Sequence, residues 1–401
     1  MPDGSAVQIA YDERGNVQSI TDAYGVATAY AYDELNRLIQ ITDGEGNQVS
    51  YQYDERDHLL SETNPEGRVR RYTYDVSGRP VQIEDFDGGT VAFSYNAMGK
   101  PEVLTDKEGR ETKRTYDLSG RIEKEVFPTG RTTVYRYDRD GRLAQVTQMS
   151  SEQEEAGKSV TDFIYDPVGN PIHMRGGDGH EVMSETSYEY DALNRVAAAT
   201  DPAGGRTVYT YDRRSGKVSS ITDAAGNART FRYNEAGELV EETDIRGNTI
   251  RYQYNEMGKV TAVTDAAGRV TRHYYLPGGR LERSVYPGGR EMAYQYDGLG
   301  RIQKRTDGNG YSLSYTYDPM GRILHIVSST GQETSYEYDA AGHVSAVTDA
   351  GGSVTRYAYT LSGKVKEVTD ALYSACLRSR GRSIPYDICL RRQGQSDGRI
   401  L

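Results

Sequence analysis

The sequence predicts an all-β protein in which tandem β-hairpin repeats follow one another as a continuous antiparallel meander. Three observations predict this fold. A Tyr followed by Asp or a close substitute recurs with a period of about 21 residues, which indicates a repeat architecture of about seventeen copies. Each copy carries two turn signals. The segments between the turns are rich in Tyr, Thr and Val, which favour strands.

The composition supports a folded β protein and excludes several classes. Tyr occurs 34 times, Phe 5 times and Trp not at all, and there are 44 Gly. A disordered chain would lack aromatic and β-branched residues. The net charge of −11 argues against a nucleic-acid binder, which needs a basic face. We see no apolar stretch long enough to span a membrane and no signal peptide near Met1, so we expect neither nucleic acid nor a membrane span.

The repeat period can be followed through the chain. The two steps from Tyr137 to Tyr165 and from Tyr165 to Tyr190 are longer than the others, and most of the remaining steps are equal. The repeating tyrosines are Tyr11, Tyr32, Tyr53, Tyr74, Tyr95, Tyr116, Tyr137, Tyr165, Tyr190, Tyr211, Tyr233, Tyr254, Tyr275, Tyr296, Tyr317, Tyr338 and Tyr359.

The first turn of each repeat reads Tyr-Asp-x-x-Gly. Asp at its start favours a type I turn, and Gly at its end supplies a positive φ. Where Gly is replaced, the substitutes are Asn36, Asp57 and Asn194, the residue types that best tolerate the left-handed region. The residues predicted to define these turns are Tyr32, Asp33, Tyr53, Asp54, Tyr74, Asp75, Gly78, Tyr116, Asp117, Gly120, Tyr296, Asp297, Gly300, Tyr317, Asp318 and Gly321.

A second turn, which reads Thr-Asp-x-x-Gly, closes the other end of each hairpin, as in residues 105–109. Two strands of about six or seven residues are expected between the turns. In the first strand Tyr51 and Tyr53 alternate with a polar residue and fall on one face. In the second strand Leu38 and Ile41 stand three apart, which puts them on opposite faces unless a β-bulge intervenes. The sequence leaves that choice open.

The domain organisation predicted is one repeat array over residues 1–370, with irregular insertions near 148–187, and a non-repeat basic tail over residues 371–401. The excess residues, 150–157 and 176–180, are interpreted as lengthened surface turns, with a cargo or partner contact as the alternative. The tail holds both cysteines, Cys376 and Cys389. It is interpreted as a disordered terminus, a junction to a further segment or an out-of-frame end, the last two being favoured.

The sequence offers no reason to expect a catalytic residue, a cofactor or a metal site, and we expect no enzyme. Of the six histidines only His173 and His180 stand close together, too few for zinc. Residues 85–88 and 307–310 are similar to parts of calcium loops but fit turns better. Most carboxylates recur at equivalent turn positions, which is typical of architecture. The cations after the turn glycines are expected to pair with neighbouring turn acids: Arg79, Arg121, Arg142, Arg301 and Arg322.

These motifs resemble the YD repeats of the Rhs family, which includes bacterial polymorphic toxins, insecticidal toxin-complex components and animal teneurins. The resemblance covers residues 1–370. It implies a β-strip curved into a spiral or partial hollow shell, in a secreted or surface-displayed parent protein. Bacterial members carry an Asp-Pro-x-Gly-Leu cleavage segment. Here Asp166-Pro167 and Asp318-Pro319 lie inside ordinary repeats that lack the Leu, so we interpret them as type I turns.

Two functions follow from this resemblance and from the Tyr rows. The first is a structural segment of the β-shell that encapsulates and delivers a C-terminal toxin, with that toxin or cargo as the partner. The alternative is a carbohydrate-binding or adhesion module in which exposed Tyr rows stack on cell-surface glycans. Outward-facing Tyr rows would favour glycan binding, and covered Tyr rows would favour the shell.

Overall fold

The structure is a computed structural model that describes residues 6–151 and 157–370, and the backbone of two further strands, Tyr373–Arg378 and Asp387–Arg392. Over these residues the protein consists of β-strands and turns. The prediction of an all-β fold is confirmed. The described residues contain no helical segment that could span a membrane.

Each repeat contributes two strands, as the two turn signals predicted. The strands described are β1 (Gln8–Tyr11), β2 (Val17–Thr21), β3 (Ala27–Tyr32), β4 (Leu38–Thr42), β5 (Gln48–Tyr53), β6 (Leu59–Thr63), β7 (Val69–Tyr74), β8 (Pro80–Glu84), β9 (Thr90–Tyr95), β10 (Pro101–Thr105), β11 (Glu111–Tyr116), β12 (Ile122–Val126), β13 (Thr132–Tyr137), β14 (Leu143–Met149), β15 (Ser159–Tyr165), β16 (Pro171–Gly177), β17 (Val182–Tyr190), β18 (Val196–Thr200), β19 (Arg206–Tyr211), β20 (Val218–Thr222), β21 (Ala228–Tyr233), β22 (Leu239–Thr243), β23 (Thr249–Tyr254), β24 (Val260–Thr264), β25 (Val270–Tyr275), β26 (Leu281–Val285), β27 (Glu291–Tyr296), β28 (Ile302–Asp307), β29 (Ser312–Tyr317), β30 (Ile323–Ser328), β31 (Glu333–Tyr338), β32 (Val344–Thr348), β33 (Val354–Tyr359), β34 (Val365–Thr369), β35 (Tyr373–Arg378) and β36 (Asp387–Arg392).

Strands that follow one another in the chain pair antiparallel, as in β3 with β4, β4 with β5 and β5 with β6. The predicted meander is therefore confirmed. Most repeats have a first strand of six residues and a second strand of five, such as β5 and β6. The second strand is shorter than expected because residues at its start belong to the turn and to a bulge.

A β-bulge at the start of the second strand settles the choice that the sequence left open. Tyr32 lies opposite Leu38, and the neighbouring Ala31 lies opposite Gln40, so one residue of β4 has no partner. Tyr30 lies opposite Ile41. Since residues directly opposite each other share a face of the sheet, the bulge puts Leu38 and Ile41 together on the Tyr face.

The Tyr rows lie on the more covered face of the sheet. In β5 Tyr51 and Tyr53 are half-buried, whereas Gln52 between them is exposed. Among the described residues the buried apolar side chains are few and mostly small: Val160, Ala198, Ala262 and Ala346. Half-buried Tyr and aliphatic rows, with the hydrogen bonds of the strands, therefore do most of the stabilising. Each hairpin depends on its neighbours.

The irregular region differs in part from its prediction. Gly176 and Gly177, predicted to lie in a lengthened turn, belong to β16 and pair with Ser184 and Val182 of β17. The excess residues therefore lengthen the strands as well as the turn, because glycine fits where two backbones lie close together. The other insertion falls largely on residues 152–156, which lie outside the described residues.

The chain divides into two compact units. Unit 1 comprises Met1–Ala92, Asp106–Gly109 and His273–Leu401, and unit 2 comprises Phe93–Thr105 and Arg110–Arg272. In the tail the structure gives only the backbone of β35 and β36, which pair antiparallel with each other. The rest of residues 371–401 lies outside the described residues, so our interpretation of the tail stays a prediction.

Candidate functional site: the turn ladder and the edge seam

The first turns are closed by hydrogen bonds between the residues at their Asp and Gly positions. The N–H of Gly78 donates to the carbonyl of Asp75 at 3.0 Å, and the N–H of Asp75 donates to the carbonyl of Arg79 at 2.9 Å. Gly78 has a φ of 76°. The Asp75 carboxylate accepts from the N–H groups of Ser77 at 2.9 Å and of Arg79 at 3.0 Å. This single side chain therefore fixes the turn.

The other predicted first turns are closed in the same way. The residue at the Gly position donates its N–H to the Asp carbonyl in each: Asn36 to Asp33 (3.1 Å), Asp57 to Asp54 (3.3 Å), Gly120 to Asp117 (2.9 Å), Gly300 to Asp297 (3.0 Å), Gly321 to Asp318 (2.9 Å) and Gly169 to Asp166 (3.1 Å). The substitutes Asn36, Asp57 and Asn194 have φ values of 62°, 67° and 58°. The two Asp-Pro segments are thus ordinary turns.

A cation after the turn glycine pairs with the aspartate that opens the same turn. The ion pairs are Arg37 with Asp33 (2.7 Å), Arg79 with Asp75 (2.6 Å), Arg121 with Asp117 (2.7 Å), Arg142 with Asp138 (2.7 Å), Arg301 with Asp297 (2.6 Å) and Arg322 with Asp318 (2.6 Å). We expected these cations to pair with neighbouring turn acids, and the structure pairs them instead with the acid that opens their own turn. The hydrogen bond from Arg79 holds the pKa of Asp75 below its ordinary value.

The repeat tyrosines connect each repeat to the one before it. The hydroxyl donates to a backbone carbonyl of the preceding repeat in each case: Tyr53 to Leu38 (2.9 Å), Tyr74 to Leu59 (2.8 Å), Tyr116 to Pro101 (2.6 Å), Tyr296 to Leu281 (2.7 Å) and Tyr317 to Ile302 (2.7 Å). Burial raises the pKa of Tyr317. Tyr32 ends β3 at the equivalent position of its own repeat.

The cation of one turn also covers the tyrosine ring of the next repeat. Arg301 lies over the ring of Tyr317 at 4.6 Å, and Arg37 lies over that of Tyr53 at 5.0 Å. His58 stacks on Tyr74 at 4.7 Å instead. Aspartate, cation, tyrosine and carbonyl thus form a repeating chain of contacts along the first-turn edge, which we call the turn ladder. Cation–π contacts of this kind add to the ion pairs.

In unit 1 the second turns of residues 22–109 meet the first turns of residues 276–364, and we call this contact the edge seam. Arg301 Nη2 lies 2.8 and 2.9 Å from the two carboxylate oxygens of Glu45. Arg322 forms an ion pair with Glu66. Glu108 accepts from the hydroxyl of Ser362 at 2.6 Å. Sequence reasoning missed the seam, although acidic residues in four successive second turns were a visible signal.

The edge seam begins at an aromatic contact. The Arg280 guanidinium lies 3.6 Å from the centre of the Tyr24 ring, and the N–H of Arg280 donates to the Tyr24 hydroxyl at 2.8 Å. Arg280 also reaches the carboxylate of Asp22 at 3.2 Å. The ring lies against Gly278, which has no side chain to obstruct it. One arginine therefore makes three contacts across the seam.

The acidic segment at residues 85–88 is a turn whose carboxylates are already paired with protein cations. Lys107 Nζ lies 2.7 Å from Asp85 and 2.9 Å from Asp87, and Arg70 lies 2.8 Å from Asp85. Although partial burial raises the pKa of Asp85, hydrogen bonds from Lys107 and Arg70 lower it to about 2. The Nδ1 atom of His173 lies 2.6 Å from the carboxylate of Glu185. Within the described ranges no group of three or more His, Cys, Asp or Glu is arranged to hold a metal.

Comparison with known proteins agrees with the repeat geometry. The family model described as teneurin YD-shell matches residues 3–152. The model described as RHS repeat matches eight overlapping or adjacent windows: 165–206, 190–228, 211–249, 233–270, 275–312, 296–334, 317–354 and 338–375. A search of curated proteins gave no match.

Solved structures share the fold over almost the whole chain. A crystal structure of TcdB2-TccC3-Cdc42 covers 95% of this chain at 15% identity, with a TM-score of 0.61. A crystal structure of TcdB2-TccC3 covers 96% at 15% identity, also with a TM-score of 0.61. The matches span 24% and 25% of those chains, so this chain is about a quarter of their length. The RHS-repeat matches extend over more than half of the sequence, so the chain belongs to the RHS-repeat family.

Proposed function

We propose that this chain is part of the wall of a β-shell that encloses a polypeptide cargo, the C-terminal toxin of its parent protein. The edge seam carries the proposal. A strip of hairpins has two long edges, and every turn on those edges presents polar groups to solvent. In unit 1 the seam joins two such edges through Glu45, Glu66, Glu108 and Tyr24. A wall that encloses a cargo needs joints of this kind, because open edges would leave gaps.

The turn ladder supports a scaffold without enzymatic activity. Its charged groups repeat at equivalent positions, and most of its aspartates are held by their own turn and by a cation, as in Asp297 with Arg301. Catalytic groups instead converge in a single cleft, where their environment differs from that of other residues of the same type. The half-buried Tyr face gives such a wall one side of uniform chemistry. A secreted or surface-displayed parent protein is part of the same proposal.

The contacts of the tyrosines weigh against the glycan-binding alternative. A sugar would have to stack on an open ring face and use the hydroxyl. The hydroxyl of Tyr317 already donates to the carbonyl of Ile302, and its ring is covered by Arg301. Tyr53 is held in the same way by Leu38 and Arg37. The hydroxyls and ring faces of these tyrosines are already used in contacts within the sheet, so the shell is the better proposal.

Sequencing the gene beyond both ends of this coding region, followed by limited proteolysis of its complete product, tests the cargo. The proposal predicts further YD repeats and a non-repetitive C-terminal segment. That segment should resist protease in the native protein and become sensitive once denaturant opens the repeats. A gene without such a segment, or a segment cut equally fast in native and denatured protein, would contradict the proposal.

A further inference from the structure

We propose that Tyr24 and Gly278 set the register of the edge seam, whereas a run of acidic second-turn residues draws the two edges together without selecting the register. The inference goes beyond the proposed function, because it concerns how the chain joins its own edge and does not depend on a cargo. It rests on one position in each turn, the residue that precedes the turn glycine.

In the second turns, acidic residues at that position are concentrated where the seam forms. Four successive second turns of unit 1 carry Glu45, Glu66, Asp87 and Glu108 there. Glu45, Glu66 and Glu108 make seam contacts with Arg301, Arg322 and Ser362. In the second turns after residue 200 the same position holds neutral or basic residues: Ala203, Ala225, Arg246, Ala267, Gly288, Asn309, Thr330 and Gly351. The acids therefore mark the part of this edge that meets the first turns of the late repeats.

These charges cannot choose a register by themselves. The partners of Glu45 and Glu66 are the arginines after the first-turn glycines, and a basic residue type recurs at that position once in each late repeat: Arg280, Arg301, Arg322, His343 and Lys364. A slip of one repeat would give Glu45 another arginine, either Arg280 or Arg322. The pairs are also partly exposed, so each contributes little to the difference between registers. Charge attraction is thus compatible with several alignments.

Tyr24 meets a feature that does not repeat. It takes the place of the acid in its turn, and its ring lies against Gly278. A Cβ atom built on Gly278 would lie 2.9 Å from two atoms of the Tyr24 ring, closer than real Cβ contacts allow. The equivalent first-turn positions on either side hold Met257 and Leu299. A slip of one repeat in either direction would therefore put a large side chain where the ring must lie.

The hydrogen bond from the N–H of Arg280 adds to this selection. Its acceptor is the Tyr24 hydroxyl at 2.8 Å, 256 residues away in the sequence. The pairs Glu45–Arg301 and Glu66–Arg322 have the same separation of 256 residues. The aromatic contact and the ion pairs thus describe one alignment of the two edges. A shift of one repeat would give Glu45 and Glu66 new basic partners, but the aromatic contact would be lost.

Thiol cross-linking of the full chain tests this inference. In a Cys376→Ser/Cys389→Ser background, Glu108→Cys with Ser362→Cys reports the observed register. Glu108→Cys with Ala341→Cys reports a slip of one repeat. A short bis-maleimide reagent is added to dilute protein, and the yield of the intramolecular product is measured by mass spectrometry. Circular dichroism first confirms that each variant keeps its strands.

We expect Tyr24→Ala to lower the yield of the observed-register product several-fold and to produce the slipped product. The paired control, Glu45→Gln/Glu66→Gln, should lower the first yield without producing the slipped product. Three results would overturn the inference. These are an unchanged yield in Tyr24→Ala, a loss of the first product in Tyr24→Ala without any slipped product, and slipped product in the charge control.

Discussion

Glu45 and Arg301 stand 256 residues apart in the sequence, yet both carboxylate oxygens of Glu45 lie within 2.9 Å of Arg301 Nη2. The same guanidinium pairs with Asp297 of its own turn and covers the ring of Tyr317. One side chain therefore belongs to both the turn ladder and the edge seam. The arginine that contacts the opposite edge in the seam also forms the ion pair within its own turn.

Reversing the charge at position 45 is expected to weaken the edge seam. Glu45→Gln should lower the free energy of unfolding by up to about 1 kcal/mol, and Glu45→Lys should lower it further because the lysine faces Arg301. Urea titration followed by circular dichroism measures both changes, and added salt should reduce the difference between the two variants. Ala225→Lys, at the equivalent turn position of unit 2, is the control. An equal loss in the control would contradict a specific contact at Glu45.

The repeat tyrosines are expected to stabilise the protein through their hydroxyls as well as their rings. Tyr317→Phe removes the hydrogen bond to the Ile302 carbonyl and should cost about 1 kcal/mol. Tyr315→Phe is the matched control, because the Tyr315 hydroxyl has no hydrogen-bond partner among the described residues. Urea midpoints of the two variants provide the comparison. If Tyr315→Phe were as destabilising as Tyr317→Phe, the hydroxyl bond would not be the cause.

Substitutions of the turn glycines should separate backbone strain from crowding. Gly321 has a φ of 80° and no atom within 4 Å of a Cβ built on it, so Gly321→Ala should cost only the strain, roughly 1 kcal/mol. Gly321→Asn should cost less, as the natural Asn36 indicates. Gly300→Ala should cost more than Gly321→Ala, because its Cβ would crowd the guanidinium of Arg280. Equal thermal midpoints for the two alanine variants would contradict this expectation, because they would mean that Arg280 moves aside without a loss of stability.

The pKa of Asp85 gives a pH dependence with a defined sign. Its folded-state pKa is about 2, lowered from 3.8, so its contribution to stability is fully present above pH 3.8 and is lost as the pH falls toward 2. The shift corresponds to roughly 2 kcal/mol at neutral pH. Asp85→Asn should therefore lower stability at pH 7 and flatten its dependence on pH between 4 and 2, with Glu34→Gln as the control. An unchanged slope in Asp85→Asn would contradict this assignment.

The strands and turns could be predicted because they depend on neighbours in the sequence. The aspartate of each turn acts on residues two and four positions later, as Asp75 does on Ser77 and Arg79. The positive φ of Asn36 likewise follows from its place in the turn. Interactions between residues so close in the sequence produce a residue pattern that can be read from one sequence.

The bulge and the edge seam could not be predicted in the same way. Leu38 and Ile41 have a spacing that fits two arrangements, and only the pairing of β3 with β4 selects one. The seam joins residues that are far apart in the sequence, as in Glu108 with Ser362. The acidic residues that begin at Glu45 identify the unusual second turns, but they do not identify the first turns that these second turns contact.

The most direct test of the edge seam is a distance between Glu108 and Ser362, measured in the full chain by pulsed electron spin resonance. Spin labels are attached at Glu108→Cys and Ser362→Cys in the Cys376→Ser/Cys389→Ser background, and the same sample in concentrated urea serves as the reference. The seam predicts one short, narrowly distributed distance that disappears in urea. A long or broad distribution in the native protein, similar to that in urea, would contradict the seam and the account built on it.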